Sequence, residues 1–167
     1  LTPYNRITEV AAVKLRGGEV VDRFQSLINP KRPIPRDIQA LTGITNEMVK
    51  DAPAFEAIAA GLATFTEGAI FVAHNVAFDY GFIQKEFERL DQRFVRPHIC
   101  TKVSMRKHFP GLPSYGLKNL SQHFGIQMIH HHRAMSDAVA AAELLKLVNS
   151  QRGCAISSTK SPPRSGD

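Results

Sequence analysis

The chain has 167 residues, 43% of them hydrophobic, and its 21 lysines and arginines outnumber its 15 aspartates and glutamates to give a formal net charge of +6. This length predicts one domain that buries roughly 70% of its unfolded surface, enough to fold without disulfides or a structural metal. The two cysteines, Cys100 and Cys154, form no framework, which excludes zinc fingers and disulfide scaffolds. The positive charge favours a polyanionic partner such as nucleic acid.

No apolar run in the sequence approaches the roughly 20 residues that a membrane-spanning helix needs. The first residues, Leu1-Thr2-Pro3-Tyr4, lack the basic head and apolar stretch of a signal peptide. We therefore expect a soluble, cytoplasmic protein with no membrane partner.

The N-terminal part of the chain predicts a β-hairpin followed by a loop. Two β-prone runs, 6–15 and 19–28, are joined by Gly17 and Gly18, and both glycines accept the positive φ angles of a tight turn. The next segment, 29–35, contains three prolines, which remove hydrogen-bond donors and restrict the residues before them. We expect this segment to be irregular.

The middle of the chain changes to a helical pattern and then to a strand. Over 36–68, apolar residues recur at spacings of three and four, with Ile38 and Leu41 in a short helix and a longer helix after it. The continuous apolar run 69–73 predicts a strand buried on both faces. A helix follows over 77–90, and a strand that leads directly into an amphipathic helix favours α/β architecture. The core-facing residues of that helix are expected to be Phe82, Ile83, Phe87 and Leu90.

The C-terminal half predicts one short strand and three helices. The expected elements are a strand at 98–100, a helix near 102–108, a helix that carries Leu117, Leu120 and Phe124, and a helix at 133–149. The last helix is rich in alanine, the best helix former. Beyond it, 150–167 has few apolar residues, which predicts a disordered tail or a linker after a single domain at 1–149.

The first polar cluster, 74–79, lies where the predicted buried strand leads into a helix. Ligands of open α/β sheets bind beyond the carboxyl ends of strands, so Asp79 is well placed to hold a metal or a substrate. The alternative is that Asp79 occupies the first helical turn because the helix dipole favours a carboxylate there. Position alone does not separate these interpretations.

The second polar cluster, 130–137, contains three adjacent histidines and Asp137. Adjacent residues do not share a helix face, which disfavours a zinc site made of the three histidines. One histidine at the start of the helix suits acid/base chemistry because imidazole titrates near neutral pH, and Asp137 offers oxygen ligands for a hard cation. The alternative is a solvated histidine loop with Asp137 on an exposed face.

Together the two clusters resemble the motifs of a known family. The strings His74-Asn75-x-x-Phe78-Asp79 and His132-Arg133-Ala134-x-x-Asp137 resemble the second and third motifs of the DEDDh 3′–5′ exonucleases, the group that contains the proofreading epsilon subunit of DNA polymerase III and ribonuclease T. Two further segments, 41–45 and 6–13, resemble the stretch after the first hairpin of the family and its second strand. The likeness extends over about 1–148. It implies an α/β, ribonuclease H-like fold with a mixed central β-sheet flanked by α-helices on both faces.

One motif of the family has no counterpart in this sequence. Family members open with a strand that carries D-x-E and holds both metals, whereas no acidic residue here precedes Glu9, which lies within a predicted strand and does not match a family ligand. Loss of that central strand would cost far more than the roughly 5–15 kcal/mol that holds a domain together. We therefore expect the sequence to be an N-terminally incomplete part of a longer protein.

The resemblance implies roles for three residues. In the family, four carboxylates hold two divalent ions that clamp the attacking and leaving oxygens at phosphorus. Asp79 and Asp137 match the third and fourth carboxylates, and Mg²⁺ or Mn²⁺ suits them because hard cations prefer oxygen donors. His132 matches the general base, which takes a proton from the attacking water.

By the same resemblance, five residues are expected near the substrate. Phe78 and the segment Thr42-Gly43-Ile44 would flank the 3′-terminal nucleotide, where apolar side chains can stack on any base. The alternative for Phe78 is core packing beneath its helix. Asn75 either hydrogen-bonds the substrate or caps the following helix, and capping is the simpler interpretation.

The favoured function is a metal-dependent 3′–5′ exonuclease that releases nucleoside 5′-monophosphates from single-stranded or 3′-terminal DNA or RNA, in proofreading or repair. The alternatives are a catalytically inactive nucleic-acid-binding module and an exonuclease-like domain of a larger protein, with a polymerase or another domain joined after Ser150. The sequence does not decide between DNA and RNA, because no residue can be assigned to contacts with the 2′ position of the sugar.

Overall fold

The computed structural model describes residues 6–128 and 133–159, with side chains described as far as residue 151. Over these ranges the chain combines strands and helices, which confirms the predicted α/β class. The strands are β1 (Glu9–Arg16), β2 (Glu19–Leu27), β3 (Phe71–Ala73) and β4 (His98–Cys100). The helices are α1 (Arg36–Thr42), α2 (Asn46–Val49), α3 (Phe55–Thr66), α4 (Val76–Glu88), α5 (Thr101–His108), α6 (Leu117–Phe124) and α7 (Ala134–Thr159).

The predicted hairpin is present as the antiparallel pair β1–β2. Gly17 and Gly18 form its turn with φ angles of 62° and 83°, a conformation that glycine adopts without steric cost. The register shifts between Lys14 and Leu15, which pair with Asp22 and Val20. Val21 is left without a partner, so a β-bulge lies in β2 just after the turn.

The second sheet consists of β3 and β4, which pair in parallel. The sheet expected from the resemblance appears, within the described residues, as two separate two-stranded sheets rather than one, because β1 pairs with β2 and β3 with β4. The prediction of a strand buried on both faces at 69–73 was wrong in detail. β3 has only three residues, all half-buried, and Ile70 lies outside it with 55% of its surface exposed.

The larger core lies between the hairpin, α3 and α4. Aromatic rings form its centre, where Phe87 stacks on Phe94 at 4.8 Å and meets Phe55 edge-on at 5.2 Å. On α4 the core-facing residues differ from those predicted, since Tyr80 is buried and Phe82 only half-buried. The buried members of this core are Val10, Ile28, Phe55, Ala59, Leu62, Val76, Tyr80, Ile83, Phe87 and Phe94.

A buried carboxylate fixes α4 to the segment that leads into β1. Glu86 is only 2% exposed, and it accepts hydrogen bonds from Nε and Nη2 of Arg6 at 2.6 and 3.1 Å and also pairs with Arg89. A buried charge needs such partners to offset its loss of hydration. This pairing holds the helix that carries Asp79 against the start of the hairpin.

A second core joins α5, α6 and α7 through Met105, Leu120, Leu144 and Val148. α7 also packs against β1 and β3, so it contacts both sheets. The helix begins at Ala134 and continues to Thr159, past residue 149, where the sequence predicted its end. The position of the domain boundary itself stays a prediction.

Among the residues that the structure describes, no helix has both the length and the apolar character needed to cross a lipid bilayer.

Candidate active site

Two helices begin at one edge of the parallel sheet. β3 leads into α4 and β4 leads into α5, and because the strands are parallel, both helices start at the carboxyl ends of the strands. Backbone N–H groups of Asn75 and Val76 on one side, and of Lys102 and Val103 on the other, hydrogen-bond the thiol of Cys100. Burial of this thiol opposes its ionisation, but the N–H groups outweigh burial and lower its pKa. The N-termini of α4 and α5 therefore converge.

Asp79 lies in the first turn of α4, at this edge. The residue as a whole is exposed, yet protein atoms crowd its carboxyl group, and this desolvation, together with the negative charge of Asp137, raises the pKa of Asp79 to about 6. The second cause requires Asp137 to lie within electrostatic reach. The structure thus brings together the two carboxylates that the motifs singled out, although they lie 58 positions apart in the sequence.

The start of α7, which carries Asp137, is held by Glu9 of β1. The Glu9 carboxylate accepts hydrogen bonds of 3.0 Å from Nε and Nη2 of Arg133 and one of 3.1 Å from the backbone N–H of Ala134. Burial disfavours the ionised Glu9, but these hydrogen bonds and the charge of Arg133 outweigh burial, so its pKa lies below the ordinary value. Glu9 occupies the position of a capping carboxylate at the helix N-terminus.

Sequence reasoning assigned no role to Glu9, beyond noting that it does not match a metal ligand of the family. Its partners, Arg133 and Ala134, are 124 and 125 residues away along the chain, so no local pattern signals the contact. One signal could have indicated the contact. Glu9 lies in a strand, and a carboxylate on the inward face of a strand needs a buried partner.

His74, the first residue of the 74–79 cluster, joins three segments around the edge of the sheet. Its Nε2 lies 2.7 Å from the carbonyl oxygen of Tyr115 and its Nδ1 lies 2.9 Å from the hydroxyl of Thr101. A carbonyl only accepts, so Nε2 carries the proton, and in the neutral ring Nδ1 accepts from the Thr101 hydroxyl. Burial lowers the pKa of His74. The hydrogen bond to Tyr115 partly opposes this effect, and the charges of Lys102 and Arg106 add to it.

Two alternatives left open for this cluster are decided by the structure. Asn75 is at the N-cap position of α4, but it is left-handed, with φ of 68°, and its side chain makes no capping hydrogen bond, so the prediction of a side-chain cap was wrong. Phe78 is 48% exposed and packs edge-on against Phe82 at 5.0 Å, which excludes core packing. A contact of Asn75 or Phe78 with substrate stays a prediction.

The segment Thr42-Gly43-Ile44 forms the end of α1 and the turn after it. Gly43 ends the helix with φ of 76°, and the Thr42 hydroxyl donates to Ile38 O and accepts from Ile44 N. Ile44 is only 2% exposed, because it packs with Ile34 and Val49.

The burial of Ile44 contradicts the expectation that its side chain flanks a nucleotide. Leu41, which the helical pattern placed in the short helix, is 52% exposed and offers the apolar surface expected of Ile44. Periodicity did not find this, because a helix of seven residues with no buried member has no core-facing stripe.

The predicted base, His132, lies outside the described residues, as do His130 and His131. Arg133, the next residue, is described and is held by Glu9. In the part of the chain that the structure describes, no group of three or more histidine, cysteine, aspartate or glutamate side chains could together hold a metal ion. Asp79 and Asp137 supply the donor type that a hard cation prefers.

The fold is that of a nuclease. It matches the solved structure of Exonuclease X in complex with 5′ overhanging duplex DNA, with a TM-score of 0.74 and 28% sequence identity over 91% of this chain and 87% of that one. The ribonuclease H-like fold expected from the resemblance is thereby confirmed.

The chain belongs to the exonuclease family described by the RNase_T model, which matches residues 1–145. It is 42% identical over 147 residues to a PolC-type DNA polymerase III of Oceanobacillus iheyensis and 38% identical over 135 residues to the 3′-5′ exonuclease DinG of Bacillus subtilis. These matches cover 87% and 80% of this chain but only 10% and 14% of those proteins. The resemblance to the DEDDh exonucleases is confirmed.

Proposed function

We propose that this chain is the catalytic domain of a 3′–5′ exonuclease that hydrolyses the terminal phosphodiester of a DNA strand and releases a nucleoside 5′-monophosphate, in proofreading or repair. The observation that carries the proposal is the electrostatic effect of Asp137 on Asp79, because carboxylates must lie close together to share cations. The name of the PolC-type DNA polymerase III relative and the complex of Exonuclease X with duplex DNA support DNA as the substrate.

Asp79 and Asp137 would hold divalent cations, Mg²⁺ or Mn²⁺, in this proposal. Their oxygen donors suit hard cations. Burial is the main cause of the raised pKa of Asp79 and the negative charge of Asp137 adds to it, and a bound cation would offset that repulsion. When bound, two such cations stabilise the charge that develops on the attacking and leaving oxygens. Further oxygen donors are required for two ions, and we expect them from the D-x-E motif of the family.

His132 would act as the general base. It directly precedes Arg133, whose guanidinium Glu9 holds, so the residue next to His132 has a fixed position at the start of α7. A neutral imidazole at this point takes a proton from the attacking water, and such positioned proton transfer contributes about 10²–10⁴-fold to the rate. Glu9 would act as a positioning residue for this segment.

The 3′-terminal nucleotide would contact exposed apolar residues beside Asp79 and beside the Thr42-Gly43 turn. Phe78 and Leu41 have about half of their surfaces exposed, and an aromatic ring can stack on a base whatever its identity. Asn75, Thr42 and Gly43 remain candidate substrate contacts, since their polar groups are near the surface.

The test uses the full-length natural protein and an oligonucleotide labelled at its 5′ end. With Mg²⁺ or Mn²⁺ we expect stepwise shortening from the 3′ end, and with EDTA none. His132→Ala is expected to lower the rate by about 10²–10⁴-fold with little change in binding. His130→Ala is the matched control, because it removes a neighbouring histidine, and it should leave the rate near that of the wild type. Equal rates for wild type and His132→Ala would remove this residue from the mechanism.

A catalytically inactive nucleic-acid-binding module is the second candidate. It is favoured by one observation, that the described residues bring together two carboxylates rather than four. Binding of 3′ ends without release of nucleotides with either cation would establish it.

The proposal also includes a cytoplasmic location and a polymerase or other domain joined after Ser150. Relatives that are far longer than this chain support the further domain.

A further inference from the structure

The net positive charge of the chain comes from one segment. Between Asp91 and Asp137 the sequence has seven lysines and arginines and no aspartate or glutamate, whereas the whole chain carries a net charge of only +6. The rest of the chain is therefore close to neutral. The segment includes β4, α5 and α6.

Several of these cations have structural partners and are not available to a ligand. Arg96 donates to the backbone carbonyls of Ala63 and Thr66, and Arg133 is bound to Glu9. Lys102 and Arg106 differ, because no ion pair found in the described part of the chain joins either of them to a carboxylate. The aromatic ring of Tyr115 lies 5.5 Å from the Arg106 guanidinium carbon and orients that side chain, and a cation above a ring keeps its N–H groups able to donate to a ligand.

Lys102 and Arg106 lie on one flank of α5. They are four residues apart, so they are neighbours on the helix surface, while Thr101 and Met105 form its buried side. Both face His74, at the carboxyl end of β3, closely enough for their charges to act on it. Val103 and Lys107 each come one position later, so they are turned by about 100° around the helix and lie on its exposed side.

The position of the pair relates it to the acidic site. His74 comes just before α4, whose first turn carries Asp79, and the N-termini of α4 and α5 converge at Cys100. Two helix N-termini, a lysine and an arginine thus lie around the carboxyl ends of β3 and β4, the edge at which Asp79 also lies. An anionic chain that reached the carboxylates would pass beside these cations.

We propose that Lys102 and Arg106 form a phosphate-contact pair that binds the sugar-phosphate backbone of the substrate strand outside the terminal nucleotide. The pair rests on the proposed function, in that it extends the binding site from the cleaved nucleotide to the strand behind it. Lysine supplies a point charge and arginine a directional fork, and both are suited to phosphate oxygens. The contact is independent of base sequence, as an exonuclease on mixed sequences requires.

The test measures binding rather than cleavage. The full-length protein is titrated into a 5′-fluorescein-labelled single-stranded oligonucleotide in EDTA, at several NaCl concentrations, and the affinity is read from fluorescence anisotropy. In Lys102→Glu/Arg106→Glu we expect affinity to fall roughly tenfold or more at low salt, and the slope of log K against log salt to decrease by about 1.4, the value for two lost contacts on a single strand. The milder Lys102→Gln/Arg106→Gln variant should show the same direction.

The matched control is Lys107→Glu, which makes the same charge change about 100° around α5 from Arg106. It should change affinity and salt slope much less than Lys102→Glu alone. An equal effect of Lys107→Glu would mean that binding depends on the general charge of α5. An unchanged salt slope in the double variant would mean that Lys102 and Arg106 do not contact the phosphates and bind another partner, such as an acidic protein. Either result overturns the proposal.

A second measurement separates this proposal from the proposed function. The small substrate thymidine 5′-(p-nitrophenyl phosphate) requires the acidic site and Mn²⁺ for its hydrolysis, but it is too short to reach α5. The charge-reversal variant should therefore hydrolyse it at the wild-type rate. A wild-type protein that binds the oligonucleotide through the pair but hydrolyses nothing would contradict the proposed function and support the contact pair. Normal hydrolysis with an unchanged salt slope would contradict the contact pair alone.

Discussion

The carboxylate of Glu9 binds the guanidinium of Arg133 through two hydrogen bonds of 3.0 Å, across 124 residues of sequence. Glu9 belongs to β1, and Arg133 directly precedes α7. The contact fixes the beginning of the helix that carries Asp137, and with it the residue that follows His132. One ion pair therefore connects the hairpin to the start of the helix that carries Asp137.

Replacing Glu9 by Gln is expected to destabilise the fold by about 1–3 kcal/mol, because the buried side of the pair loses its charge and the Arg133 guanidinium loses its counterion. Urea unfolding measures this change. We also expect kcat to fall while KM changes little, since the start of α7 is displaced and the apolar substrate contacts are not.

Glu143→Gln is the control for the Glu9 variant. Glu143 pairs with Lys146 at 3.0 Å, but the two side chains are 44% and 36% exposed, so the loss should stay below about 1 kcal/mol. A similar loss of unfolding free energy in both variants would show that the Glu9 contact stabilises the fold no more than an exposed ion pair does.

Asp79 should make the stability of the metal-free protein depend on pH. Its pKa is raised to about 6 in the folded state from an ordinary value of 3.8, so the folded state binds the proton more tightly than the unfolded state. The free energy of unfolding should therefore decrease as pH rises from about 4 to about 6. Asp79→Asn removes this carboxylate, and in EDTA the variant should have a higher Tm than the wild type at pH 7 and a similar one near pH 4.

Added Mg²⁺ distinguishes the origin of this effect. The wild type should gain thermal stability at pH 7 with excess Mg²⁺, because a ligand that binds only the folded state stabilises it, and Asp79→Asn should gain less. The exposed Asp51→Asn variant controls for the removal of one negative charge. A Tm difference between wild type and Asp79→Asn that is the same at pH 4 and pH 7 would contradict the assigned pKa.

Phe78→Ala should weaken substrate binding without unfolding the protein. Phe78 is 48% exposed, so its truncation should cost far less stability than Phe87→Ala, where a ring that is 2% exposed leaves a cavity worth about 3–5 kcal/mol. Loss of one stacked base, about 1–3 kcal/mol, should raise KM by about 5- to 150-fold. Val103→Ala, at a site 60% exposed on α5, is the control, and an unchanged KM in the Phe78 variant would exclude stacking.

His74 should contribute stability that is lost in acid. Its pKa is lowered in the folded state, mainly by burial, so on acidification the unfolded chain takes up the proton first, and the free energy of unfolding should fall as pH drops below about 6.5. His74→Gln should lose about 1–3 kcal/mol at pH 8, since Thr101 is fully buried and its hydroxyl loses a partner.

The pH profile separates this role from simple packing. The difference in stability between wild type and His74→Gln should shrink between pH 8 and pH 5, because only the wild type has to keep this imidazole neutral. Urea unfolding at both pH values measures the difference, and a constant value would show that His74 is not held neutral.

Local sequence patterns were sufficient for several features of this protein. Gly17 and Gly18 predicted the hairpin turn, and the apolar run before His74 predicted a strand that leads into the helix of Asp79. These predictions succeed because turn geometry and helix starts depend on residues that are adjacent in the chain. The two motifs also predicted the family from residue types and spacing, which do not depend on knowing any contact.

Tertiary packing decided which surfaces are covered. Periodicity shows which residues share a face, but the burial of that face depends on elements far along the chain. For this reason Leu41 is exposed, and Ile44 is buried where a contact with the substrate was expected. The pairing of Glu9 with Arg133 and the proximity of Asp79 to Asp137 likewise depend on how α7 packs against β1 and β3. Carboxylates form a binding site only when the segments that carry them lie close together, and this proximity depends on the packed fold rather than on any local stretch of sequence.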